Sequence, residues 1–129
     1  MVTKPLCLVA VFLTFGTALS TQAMTRAEYN HAVEIAQADY KSAKGKCNDL
    51  SGNTKDVCVK QAKADYTRAK SDAKAAYKGT PHARAEARED QAEANYKVAK
   101  EKCDDLSGNN KDICVQEAKA KLGKAKANK

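Results

Sequence analysis

With 129 residues, a formal net charge of +7, five tyrosines, two phenylalanines and no tryptophan, the chain has room for one small domain or two linked hairpins. It is too poor in large apolar side chains for a thick core. No acid–base pair, nucleophile with an adjacent base or phosphate-binding loop is visible, so no enzyme and no cofactor is expected.

Residues 1–23 read as a signal peptide. Lys4 gives a short positive start, and Leu6 to Leu19 form an apolar run interrupted by Thr14, Gly16 and Thr17. Thr21-Gln22-Ala23 then offers small residues ahead of a cleavage site after Ala23. The run is too short to span a bilayer, which takes about 20 residues, so no transmembrane anchor is expected after cleavage. Cys7 leaves with this segment and the five cysteines become four, an even set that reads as disulfides in an exported, periplasmic protein.

From residue 24 onward the apolar positions follow a heptad rhythm. Tyr29, Val33, Ala36, Tyr40, Ala43, Cys47 and Leu50 alternate steps of four and three, as do Val59, Ala62, Tyr66, Ala69, Ala73 and Ala76. Ala92, Tyr96, Ala99, Cys103 and Leu106 repeat the first series, and Val115, Ala118, Leu122 and Ala125 the second. Such steps lay one seam along a helix, and the intervening alanine, lysine, glutamate and arginine favour helix. The pattern predicts helices near 25–50, 54–78, 81–106 and 110–127, with the last fraying towards Lys129. Gly52 and Gly108 are suited to left-handed helix stops, Asn53 or Thr54 and Asn109 or Asn110 to capping the helices that follow. Gly79-Thr80-Pro81 supplies a stop, a cap and a proline at the first helical position.

Two of these stretches are copies of one another. Residues 39–64, DYKSAKGKCNDLSGNTKDVCVKQAKA, map onto 95–120, NYKVAKEKCDDLSGNNKDICVQEAKA, with 18 of 26 positions identical. Each copy brackets a tight turn with two cysteines, Cys47 and Cys58 in the first and Cys103 and Cys114 in the second. A cysteine one turn before a helix end and another one turn into the next face each other across an antiparallel turn, so the expected bonds are Cys47–Cys58 and Cys103–Cys114. The first bond sets a register that brings Tyr40 near Asp65 or Tyr66, and Tyr29 near Ala76 or Tyr77. Cysteines with ten residues between them suit neither a Cys-x-x-Cys redox pair nor a zinc site. His31 and His82 lie outside the repeated unit, so no metal site is expected. The tyrosines occupy seam positions, and Leu122 stands where a fourth would fall. They read as packing knobs rather than stacking surfaces for sugars or bases.

Most of the net charge lies at one end. Residues 118–129 hold five lysines, Lys119, Lys121, Lys124, Lys126 and Lys129, and no acid. This segment is a candidate site for a polyanionic surface such as lipopolysaccharide or anionic lipid. Without interleaved aromatics, and after export, nucleic acid is disfavoured.

The pattern Tyr-Lys-x-Ala-Lys-x-Lys-Cys-(Asn/Asp)-Asp-Leu-Ser-Gly-Asn-x-Lys-Asp-x-Cys-Val, followed by Ala-Lys-Ala, resembles small exported proteobacterial Ala/Lys-rich helical repeat proteins of unassigned function, often described as TolA-like proteins of cell envelope biogenesis. The resemblance implies an alanine- and lysine-rich helical fold and an envelope role, and supplies no catalytic residues. The expected architecture is all-α: residues 24–80 form one antiparallel helical hairpin and 81–129 the other, each pinned by one disulfide. The two either pack as an up-down four-helix bundle or remain rods joined at Gly79. The expected role is structural or binding, in the cell envelope, with an unidentified partner and with alanine seams open to homo-oligomer formation. A periplasmic holdase that exposes its seams under stress is the alternative, and a thiol–disulfide redox protein a weaker third.

Overall fold

The computed structural model describes residues 23–127, which form four helices and, among those residues, no strand. The signal segment, apart from Ala23, and Lys129 lie outside the described residues. Helix α1 spans Arg26–Lys46 and continues into a 3-10 turn, Cys47–Asp49; α2 spans Gly52–Lys78, α3 Pro81–Cys103 and α4 Gly108–Ala127. The helices succeed one another antiparallel, and the two hairpins dock through α2 and α3 in an up-down arrangement.

This four-helix arrangement is an open one. Each helix packs only on its neighbours in the chain, so α1 touches α2 alone and α4 touches α3 alone. The sequence explains the layering. At about 100° per residue, Cys58, Ala62, Tyr66 and Ala73 lie on one side of α2, while Ala64, Ser71 and Ala75 lie on the opposite side. On α3, Ala83, Ala87, Ala94 and Val98 face α2, and Ala92, Tyr96, Ala99 and Cys103 face α4. Both central helices therefore carry two seams.

The core is made of small side chains. Alanines, Val98 and two cysteines constitute its apolar part, and Cys47 and Cys103 are the largest fully buried side chains. Between α2 and α3, Ala64 meets Ala94 and Val98, and Ala75 meets Ala83 and Ala87. Polar contacts flank these clusters. Gln91 Nε2 donates to Asp72 Oδ1 at 2.6 Å and to the buried Ser71 Oγ at 3.3 Å, and Arg68 donates to Asn95 Oδ1 at 3.3 Å. Lys74 pairs with Glu86 at 3.3 Å and Lys60 with Glu101 at 3.7 Å.

Thr25 and Glu28 close a capping box at the start of α1: Glu28 Oε2 accepts from Thr25 N at 2.7 Å, and Glu28 N donates to Thr25 Oγ1 at 3.3 Å. The bond from Thr25 N, together with one from Thr25 Oγ1 at 2.8 Å, holds the Glu28 carboxyl below its ordinary range. At the same end of the array, where Met24 N donates to Ala76 O, Gly79 adopts φ 64°, Thr80 Oγ1 accepts from Ala83 N at 3.1 Å, and Pro81 opens α3. Stop, cap and proline fall where the sequence places them.

The disulfide-bearing turns differ from expectation in detail. Helices α1 and α3 end about one turn early, near the cysteines, because the chain tightens into the turn there. Leu50 and Leu106, expected as the last seam residues, consequently lie beyond the helices and are exposed. Gly52 and Gly108 do adopt positive φ, 57° and 54°, but as the first residues of α2 and α4 instead of helix stops. Ser51, and neither Asn53 nor Thr54, takes the N-cap position of α2, without a side-chain cap bond.

Candidate functional site

Both pins form as the spacing predicts. Cys47–Cys58 and Cys103–Cys114 each join helices at a Cα separation of 5.7 Å, inside the range a disulfide requires. The up-down order carries both to one end of the array, opposite the turn at Gly79. Register follows: the Tyr29 and Tyr77 rings stack at 5.2 Å between centroids, and Tyr40 and Tyr66 meet tilted at 5.5 Å. These rings pack across the α1–α2 seam. Among the described residues no group of three or more His, Cys, Asp and Glu side chains is placed to hold a metal ion.

The lysines of α4 divide into two kinds. Lys119, Lys121 and Lys124 are exposed on the edge helix. Lys126 instead folds back onto α3, 2.6 Å from Glu93 and 3.5 Å from Glu89. The hydrogen bond to Glu93 raises its pKa above the usual lysine value. That contact ties the end of α4 to α3, and the helix runs to Ala127 as the pattern predicts; the fraying expected at Asn128 and Lys129 lies outside the described residues. Near the turn, Lys111 and Asp104 meet at 2.8 Å, which lowers the Asp104 carboxyl and raises the Lys111 ammonium.

Each hairpin also carries a slot along its outer seam, and the two slots occupy equivalent places in the repeat. In the first hairpin Tyr40 and Tyr66 line it with Asp39 and Asp65, over a floor of alanines, and leave ≈ 120 Å³. In the second, Tyr96 and Leu122 stand in the places of those tyrosines, and Asn95 and Lys121 in the places of the aspartates. The slot there has grown to ≈ 440 Å³ and extends along α3 to Arg88 and Gln91. Its floor, Ala92, Ala118 and Ala125, matches Ala36, Ala62 and Ala69. Sequence reasoning noted that leucine replaces tyrosine in the last copy but treated the change as one packing residue for another; its consequence for the shape of the seam lay in the pairing of helices. Also missed was the α2–α3 seam, with Ser71, Gln91, Arg68 and Asn95.

No helix among the described residues is long and apolar enough to cross a membrane. No family model, curated protein or solved structure matches the chain.

Proposed function

We propose that the protein is a non-enzymatic helical scaffold of the periplasm, related to the TolA-like exported proteins, whose α4 edge binds an anionic envelope surface. The observation that carries this reading is the edge helix itself. Lys119, Lys121 and Lys124 project from a helix with one neighbour, and among the described residues none of the three takes part in an ion pair. Lipopolysaccharide or anionic lipid supplies the complementary charge. Two disulfides fit an oxidising compartment, and they fix the edge without a large core.

The test is co-sedimentation of the oxidised protein, lacking residues 1–23, with phosphatidylglycerol-containing vesicles and with neutral phosphatidylcholine vesicles. Association with the anionic vesicles alone, weakened by about 0.5 M salt and by Lys119→Gln, Lys121→Gln and Lys124→Gln together, is expected. Equal binding to neutral vesicles, or full binding by the triple variant, would reject the reading. Lys126 is left out because its change would also loosen α4.

A holdase role draws on a different observation: buried apolar contacts made almost wholly of alanine, which separate at small cost. Suppression of a client's aggregation at low but not neutral pH would favour it.

A further inference from the structure

The repeat supplies its own reference for the α3–α4 slot. In the first hairpin the place beside Tyr40 holds the ring of Tyr66, centroids 5.5 Å apart. In the second hairpin Leu122 occupies that position, and among the described residues Tyr96 has no ring beside it. The space beside Tyr96 lies open along an apolar floor and is continuous with the stretch towards Gln91 and Arg88; the whole slot, ≈ 440 Å³, falls in the range of small-molecule sites.

Charge changes in the same direction at each neighbouring position. The first slot has two carboxylates at its rim, Asp39 and Asp65. The second has the neutral Asn95 and the cation Lys121, gains Arg88 where the first repeat has Ala32, and is lined by no acid. Neither Arg88 nor Lys121 takes part in an ion pair among the described residues. A site that has lost a ring and two negative charges, and gained two positive ones, is complementary to a flat apolar body bearing an anion.

We propose that the α3–α4 slot binds a small aromatic anion, one or two fused rings with a carboxylate. The ring lies against Tyr96 and Leu122 in the place that Tyr66 fills in the first hairpin. The carboxylate meets Lys121, with Arg88 contributing from the far end of the slot. Offset or edge-to-face packing on the tyrosine and apolar contact with the alanines hold the body, and the charge contact selects anions. This goes beyond the envelope reading above: it shares Lys121 with that reading and assigns the slot a separate ligand.

The probe is 2-naphthoate, titrated into the oxidised, isotope-labelled protein while amide and tyrosine ring resonances are followed. Shifts confined to α3 and α4 around Tyr96 and Leu122, saturating below about 5 mM, are expected. Leu122→Tyr rebuilds the first hairpin's ring pair in the second and should weaken binding at least tenfold, with helical content and disulfides retained as the folding control. Lys121→Asp restores the first hairpin's charge and should weaken it by a similar factor. Absence of saturable shifts in the unaltered protein would overturn the assignment. So would undiminished binding by Leu122→Tyr, equal binding of naphthylmethylammonium, or tighter binding of dodecanoate. Leu122→Tyr leaves every lysine in place. Vesicle association that persists in a protein without naphthoate binding would therefore sink this inference and spare the envelope reading.

Discussion

Removing the Cys103–Cys114 bond by the double change to alanine should release α4 and leave the other three helices docked. The bond closes a loop with a sequence separation of 11, for which chain entropy gives about 3 kcal/mol. Cys103 is fully buried, and truncating its sulfur adds about 1 kcal/mol of lost packing. A total near 4 kcal/mol corresponds to a drop of roughly 15–30 °C in melting midpoint for a domain of this size. The loss should not be shared evenly. Helix α4 touches only α3, and a free helix of 20 residues is marginal in water. What remains to hold it is Leu122, Val115 and Ala118 on a loosely filled seam, together with exposed ion pairs of small worth. The corresponding Cys47→Ala/Cys58→Ala protein loses the same loop closure, but α1 keeps the Tyr29–Tyr77 and Tyr40–Tyr66 contacts, each adding about 0.5–1.5 kcal/mol. Thermal melts at 222 nm combined with amide exchange will separate the cases. Without Cys103–Cys114, the α4 amides should exchange first and an early step should remove about a fifth of the ellipticity. A single transition within a few degrees of the unaltered protein, or protection lost first in α1, would refute the reasoning.

The α2–α3 seam depends on side chains small enough for close approach. Ala83→Leu, at a residue only 2% exposed, should therefore overpack it and destabilise by about 1–3 kcal/mol, whereas the same change at exposed Ala38 should leave the urea midpoint almost unmoved. Stability should also decline in acid. Thr25 hydrogen bonds depress Glu28, Lys74 depresses Glu86 and Lys111 depresses Asp104. Their contribution is complete above the ordinary carboxylate values and is lost as pH falls through the lowered ones. Lys111 and Lys126, raised by Asp104 and Glu93, contribute fully below the ordinary lysine value and lose that contribution as pH climbs through the raised ones. All five groups are at the surface, so the decline should be shallow and flattened by salt; melting midpoints that begin to fall above about pH 5 would contradict this origin.

How much of this was legible depends on which residues marked a face. Cysteines and tyrosines recur at steps of three and four and are distinctive enough to announce a seam. For that reason the within-hairpin faces and both disulfides could be read directly, and the partners of Tyr40 and Tyr29 to within one residue. The α2–α3 seam uses Ala64, Ser71, Ala75, Ala83, Ala87 and Ala94, and alanine favours helix equally well in contact or in solvent. A pattern search that assigns each helix one apolar stripe stops at the tyrosine-bearing side and does not register a second stripe opposite it. Leu50 and Leu106 misled in the reverse sense: they keep the heptad step, yet the chain leaves the helix at the cysteines before reaching them.

That second stripe also determines why the docked hairpins form a layer. A closed bundle needs each helix to turn one wide face towards a common axis. Here α2 and α3 divide their apolar residues between opposite sides, so a helix can be added on either flank but none is drawn across. Both broad faces of the layer stay in solvent, and the outer helices are held by one partner and one disulfide each. The duplicated turn gives the two outer helices the same attachment. It does not give them the same seam, because Tyr66 meets Tyr40 and narrows the first, whereas Leu122 leaves Tyr96 without a ring beside it among the described residues. Attachment and surface are thus set by different residues of the repeat: the cysteines fix where the helix lies, and positions 65, 66, 121 and 122 set the shape and charge of its groove.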